Sequence, residues 1–275
     1  MLDTGWIALS LVRHLGSKTL RHLIAEFGST EDILRATPLD LMRVRGIGKV
    51  LAHAIHMINL TQVEADIVRW QQDGVNIIWR DHPDYPMPLT QLDDEPPTLF
   101  VRGEFSQSLW SDAVAIIGTR QPTLKARELA RTFGLRYSQN RYTVVSGLAL
   151  GIDALAHEGA LQSNGRTVAV LGSGVLNVYP HSHRALADKI LEAGGALVCE
   201  CSPDAEVAAP RLVARNRIIT GLARLIVLVE SSETGGAMHA VKFARQQGKT
   251  LYTFDLPATG NQSAITQGVE RVLKI

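Results

Sequence analysis

The chain has 275 residues, 30.0 kDa, 45% hydrophobic and 20% charged, a globular balance that excludes a disordered polypeptide. Its 28 Lys and Arg stand against 27 Asp and Glu, a formal charge of +1, so it is no polycation and any nucleic-acid affinity must come from local clustering. No stretch approaches the ~18 apolar residues that span a bilayer, and the N-terminus lacks the basic leader of a secretory signal. Cys199 and Cys201 lie one residue apart, a spacing that suits neither a disulfide framework nor a zinc site. These features lead us to expect a soluble cytoplasmic protein with reduced thiols, no membrane contact and no metal or other cofactor.

Residues 1–73 read as helices. Ile7, Leu9, Leu11, Val12 and Leu15 form one apolar stripe, and Ser29 opens a helix with a capping pattern that includes Glu31 and Asp32. Pro38 starts another helix, and the periodicity from Val50 to Trp70 predicts a single long one. Within this region, Val44 to Ile55 fits a helix-hairpin-helix turn. Gly46 and Gly48 would expose backbone N–H groups to a DNA phosphate with Lys49 beside them, or simply make a structural turn.

Residues 74–110 hold five of the eleven prolines and read as an extended connector with two short strands, VNIIW and LFVRG. From residue 111 to 275 short Val/Ile/Leu runs (AVAIIG, TVVSG, TVAVLG, ALVCE, LIVLVE, TLYTF) alternate with helical spacers. That rhythm predicts an α/β fold: an extended, Rossmann-like, doubly wound and mostly parallel sheet, preceded by the small all-helical domain.

In such a sheet ligands bind beyond the carboxyl ends of the strands, where the Gly-bearing turns fall. After the first buried strand, Gly118, Thr119 and Arg120 offer close backbone approach, a hydroxyl and a forked donor for phosphate oxygens, with Lys125 following. The next turn carries Ser146 and Gly147. Gly151 opens a helix that Asp153 is expected to cap, and His157 is expected to be a packed core residue. A Gly172-Ser173-Gly174 turn follows a third strand; His181 and His183 after it have no metal-ligand spacing.

Between Val207 and Val229 stand Arg211, Arg215, Arg217 and Arg224 with no acidic residue, which reads as one basic patch, with Asn216 inside it. Thr234 and Gly235, with Gly236, form a further turn, and Lys242 lies on the helix after it. Aromatic residues make up 5%, so bases have few stacking platforms, with Phe100, Phe105, Tyr137, Tyr142, Tyr179 and Phe243 as candidates. No nucleophile elbow, isolated reactive Cys or poised carboxylate pair points to catalysis.

Taken in order, DHPDYPMPLTQLDDEPPTLFVRG, AIIGTR, SGLALGIDALAHEGAL, AVLGSGVLNVYP, PRLVARNRIITGL, SETGGAMHAVKFARQQGK and GNQSAITQG resemble the DNA-processing protein A (DprA/Smf) family. The match runs from about Asp81 to the C-terminus, and the hairpin in front fits as well. The resemblance implies a non-enzymatic protein that binds single-stranded DNA without regard to sequence, dimerises, and loads a RecA-type recombinase in natural transformation. It assigns phosphate contacts to Arg120, Ser146, Gly147, Arg215 and Arg217.

The chain departs from the family where Leu150 stands for a usual Arg, where Lys125-Ala126 stands for Tyr-Gly, and where His239 stands for a Thr. It also stops without the winged-helix extension of many members. On this reading Arg120→Ala and Arg217→Ala both weaken binding and flatten its salt dependence. The competing reading is a nucleotide sensor or nucleotide-processing enzyme in which Glu230, beside Thr234–Gly236, acts as acid or base.

Overall fold

The computed structural model describes residues 2–272. Six helices come first: α1 (Thr4–Ser10), α2 (Ser17–Phe27), α3 (Thr30–Arg35), α4 (Pro38–Leu41), α5 (Lys49–His56) and α6 (Leu60–Gln72). Leu9, Leu20, Leu23, Ile33, Leu41, Ala52 and Ile55 are fully or almost fully buried in a core of their own. The long helix expected from Val50 to Trp70 is interrupted at residues 57–59. Asn59 caps α6 by accepting a hydrogen bond from the Gln62 amide, a signal the apolar periodicity conceals.

The rest is one nine-stranded sheet flanked by helices. Its elements are β1 (Val75–Trp79), β2 (Thr98–Gly103), β3 (Ala113–Ile117), α7 (Leu124–Gln139), β4 (Thr143–Ser146), α8 (Ile152–Gln162), β5 (Thr167–Val170), α9 (Arg184–Glu192) and β6 (Ala196–Cys199). Then come α10 (Ala209–Ala214), α11 (Asn216–Leu222), β7 (Leu225–Leu228), α12 (Ala237–Gln246), β8 (Thr250–Thr253), α13 (Thr259–Thr266) and β9 (Glu270–Arg271). The spatial order is β1-β2-β6-β5-β4-β3-β7-β8-β9. β1 and β2 are antiparallel, as are β2 and β6, and all other pairs are parallel.

The apolar runs make sense in this setting because strands between two helical layers are buried on both faces. All five residues of β3 are buried. Val114 and Ile116 face α7 and α8, while Ala115 and Ile117 pack with Ile218 and Ile219 of α11. After β3 the chain builds outward through β4, β5 and β6, then crosses back to lay β7 on the other side of β3. The carboxyl ends of β3 and β7 therefore flank the topological switch point.

The helical domain is fastened to the sheet by polar contacts at Glu95, Pro97 and Asp204. Glu95 is 1% exposed. Its carboxylate accepts from Arg21, with the Arg80 guanidinium 3.3 Å away, and its carbonyl accepts from Ser17. The Trp6 indole donates to the Pro97 carbonyl at 3.1 Å, and the Trp70 indole donates to Asp204 at 2.6 Å. We expect Glu95→Gln to destabilise the chain by about 2 kcal/mol, the scale of a hydrogen bond to a charged group. Urea titration would read the loss, and limited proteolysis would show earlier cleavage between the helical domain and β1.

Candidate nucleic-acid interface

A cleft of about 450 Å³ opens at the switch point. Gly118, Thr119, Arg120 and Gln121 line it from the turn after β3, Gly235, Gly236 and His239 from the turn after β7 and the start of α12. Arg215 and Asn216, at the junction of α10 and α11, complete the wall. Arg120 is exposed and has no ion-pair partner among the described residues. Gly236 caps α12 with no side chain on the first-turn amides, so that end of the helix dipole also faces the cleft.

The turn after β3 is fixed from behind by Glu230. This side chain, 6% exposed, accepts from the Thr123 amide at 2.8 Å and from the Thr123 hydroxyl at 2.9 Å. The Glu230 carbonyl accepts from the Thr119 amide at 2.7 Å. Both carboxylate oxygens are thus engaged in shaping the loop.

Asn261 does the same for the turn after β7. Its carbonyl oxygen accepts from the Ser231 amide, and its amide group donates to Val229, Thr253 and Phe254. Sequence reasoning missed Asn261, Gln121 and the structural role of Glu230. The only sequence signal for Asn261 is its place in the GNQSAITQG segment.

The turn after β4 departs from expectation. Ser146 is fully buried and donates to the Ile116 carbonyl at 2.6 Å, so it ties β4 to β3 instead of meeting a ligand. Asp153 does not cap α8, whose cap is Gly151; its carboxylate turns back to accept from the amides of Gly147 (3.1 Å) and Ala149 (3.4 Å). Burial raises the Asp153 carboxyl above its ordinary range, against the opposing pull of Arg215 and the turn's hydrogen bonds.

Arg215 is also buried, donating to the carbonyls of Gly147, at 2.5 Å, and Val170. Gly147 has no room for a Cβ against that guanidinium. His157, completely buried, bonds Thr167 at 2.7 Å, and burial pushes its imidazole down to about 3, so it is neutral near pH 7.

A family model described as DNA recombination-mediator protein A matches residues 76–275, and one for a helix-hairpin-helix motif matches residues 6–64. Two curated relatives are the Smf proteins of Synechocystis sp., 33% identical over 98% of this chain and 69% of that protein, and of Escherichia coli, 32% identical over 94% and 68%. The chain belongs to the DNA recombination-mediator protein A family. Its fold is that of DNA processing protein A (DprA) from Streptococcus pneumoniae, with TM-score 0.81, 24% identity and coverage of 98% of this chain and 95% of that one. A Helicobacter pylori DprA structure, described by its single-stranded DNA binding mode, aligns over 73% of this chain and 91% of that one, with TM-score 0.66 and 23% identity.

Within this DprA fold the run of four arginines does not form one patch. Arg217 is 8% exposed and points away from the cleft into an ion pair with Glu200 at 2.5 Å and Asp94 at 3.2 Å. Burial alone would lower its guanidinium, and the two carboxylates more than offset that. Arg224 lies 3.7 Å from Asp112, beyond the opposite, N-terminal end of β3. Acidic residues distant in sequence supply the counter-charge that the local run lacks.

Arg211 is exposed and donates to the Glu206 carbonyl; Lys125, Thr234 and Lys242 are exposed outside the cleft wall. Arg217→Ala is therefore expected to lower the melting temperature while leaving the salt dependence of DNA binding intact, a split that thermal melts and titrations at several salt concentrations would separate.

The hairpin residues Gly46, Gly48 and Lys49 occupy a separate surface. Gly48 caps α5 without a side-chain bond, and Lys49 and Val50 line a depression of about 580 Å³ with Arg13 and His14. Arg13 and His14 come from the turn between α1 and α2, which sequence reasoning passed over. No helix is long and apolar enough to cross a membrane among the described residues.

Proposed function

We propose that this chain is a non-enzymatic single-stranded DNA-binding protein that holds the sugar-phosphate backbone in the switch-point cleft. It acts in the cytoplasm as a homodimer that delivers the strand to a RecA-type recombinase. The observation that carries this reading is Arg120: an exposed guanidinium, without an ion-pair partner among the described residues, at the mouth of the cleft formed by the β3 and β7 turns.

A guanidinium there grips phosphate oxygens without reading bases, which matches sequence-independent binding. Family membership and the single-stranded DNA binding described for the Helicobacter pylori protein support the choice of ligand. Gly118, Thr119, Asn216 and Gly235 shape the cleft around Arg120, and Lys125, Arg211, Thr234 and Lys242 extend the track outside it. Gly46, Gly48 and Lys49 add a second, weaker phosphate contact on the helical domain.

Fluorescence anisotropy of labelled oligothymidine at several salt concentrations, with duplex competitor and a mononucleotide control, tests the reading. Salt-sensitive binding that duplex competes poorly supports it. Preference for the mononucleotide, or its turnover, replaces it with the nucleotide reading.

A further inference from the structure

We infer that Asp153 and Arg215 form a buried positioning pair in which the protein's own carboxylate occupies the anion-binding turn after β4, so that neither that turn nor Arg215 meets the DNA phosphate directly. The inference rests on the DNA-binding reading above and assigns the contact itself to Arg120.

Three observations lead there. The amides of Gly147 and Ala149 converge as an anion nest would, and both already donate to Asp153. The Arg215 guanidinium stands 3.8 Å from the same carboxylate. Its Nη1 donates to the Gly147 carbonyl at 2.5 Å and to the Val170 carbonyl, so one nitrogen joins the ends of β4 and β5.

The pair also reaches the β3 turn. Asp153 fixes the loop that carries Gly151, and the next residue, Ile152, donates its amide to the Thr119 carbonyl at 3.1 Å. Thr119 immediately precedes Arg120, whose positive charge lies close enough to oppose the charging of Arg215. Asp153 neutralises the inner guanidinium, leaving the outer one to take the phosphate.

Salt dependence separates a positioning residue from a contacting one, because each phosphate neutralised on a single strand contributes roughly 0.7 to the logarithmic slope. Arg215→Met and Asp153→Asn are each expected to weaken oligothymidine binding about tenfold, the scale of one lost hydrogen bond to a charged group, with the slope of the parent chain retained. A slope lowered in Arg215→Met, or affinity raised in Asp153→Asn, overturns the inference.

Hydrogen exchange on the unaltered chain gives a reading that needs no variant. The Gly147 and Ala149 amides should exchange slowly without DNA and no more slowly with it; fast exchange that DNA suppresses overturns the pair. If the chain binds no oligothymidine at all, the DNA reading fails. Slow exchange without DNA that speeds up in Asp153→Asn then still supports the internal carboxylate, and its absence overturns it.

Discussion

Arg120→Ala is expected to reduce affinity for oligothymidine by roughly ten- to a hundredfold at low salt and to lower the logarithmic salt slope by about 0.7 for each phosphate it neutralises. The size follows from the bond involved. A hydrogen bond to a charged group contributes about 1.5–3 kcal/mol, and each 1.4 kcal/mol is about a factor of ten. Stability should hardly change, because Arg120 is exposed and makes no ion pair among the described residues.

That combination distinguishes Arg120 from the other arginines. Arg217 is paired with Glu200 and Asp94, and Arg215 is engaged with two carbonyls and Asp153, so replacing either disturbs the fold first. Anisotropy titrations at four or more salt concentrations, alongside thermal melts of the same preparations, check the prediction. Unchanged affinity in Arg120→Ala would remove the cleft from consideration as the DNA site.

The architecture was readable because the physics behind it is local. A short run such as AVAII has no polar residue to place toward water, so it belongs inside a sheet covered on both faces, and the Gly-bearing turn after it falls at the carboxyl edge. Gly118–Arg120 and Gly235–Gly236 do converge across the switch point. The interruption between α5 and α6 was hidden because Met57 and Ile58 continue the apolar pattern, and only the Asn59 side chain ends it.

Charge was harder to read, for a physical reason. The interval from Val207 to Val229 contains no acid, yet Asp94, Glu200, Asp153 and Asp112 reach Arg217, Arg215 and Arg224 from other elements. A charge run in sequence becomes a surface patch only if folding brings no counter-charge to it. Ser146 misleads similarly, since a hydroxyl at a strand end serves a carbonyl on the neighbouring strand as readily as a ligand.

Gly151→Ala is expected to have the largest combined effect on stability and binding. Gly151 has φ 81° and ψ −125°, a conformation an L side chain rarely adopts and whose strain is on the order of 1–3 kcal/mol. Space forbids the substitution independently: a Cβ there would overlap the carbonyl of Thr119 and the backbone of Arg120. Relief requires the β3 turn to move away from α8, which breaks the Ile152 amide bond to Thr119 and carries Arg120 with it.

The same backbone shift therefore destabilises the fold by about 3 kcal/mol or more, strain and overpacking together, and displaces the guanidinium that grips phosphate. Denaturant titration reads the first effect, and anisotropy well below the unfolding transition reads the second. Because the Arg120 side chain survives in this variant, weak binding with its charge intact would show that the β3 turn must be held in place for the charge to be useful. Normal binding and stability would mean that the two turns are not pressed together as described.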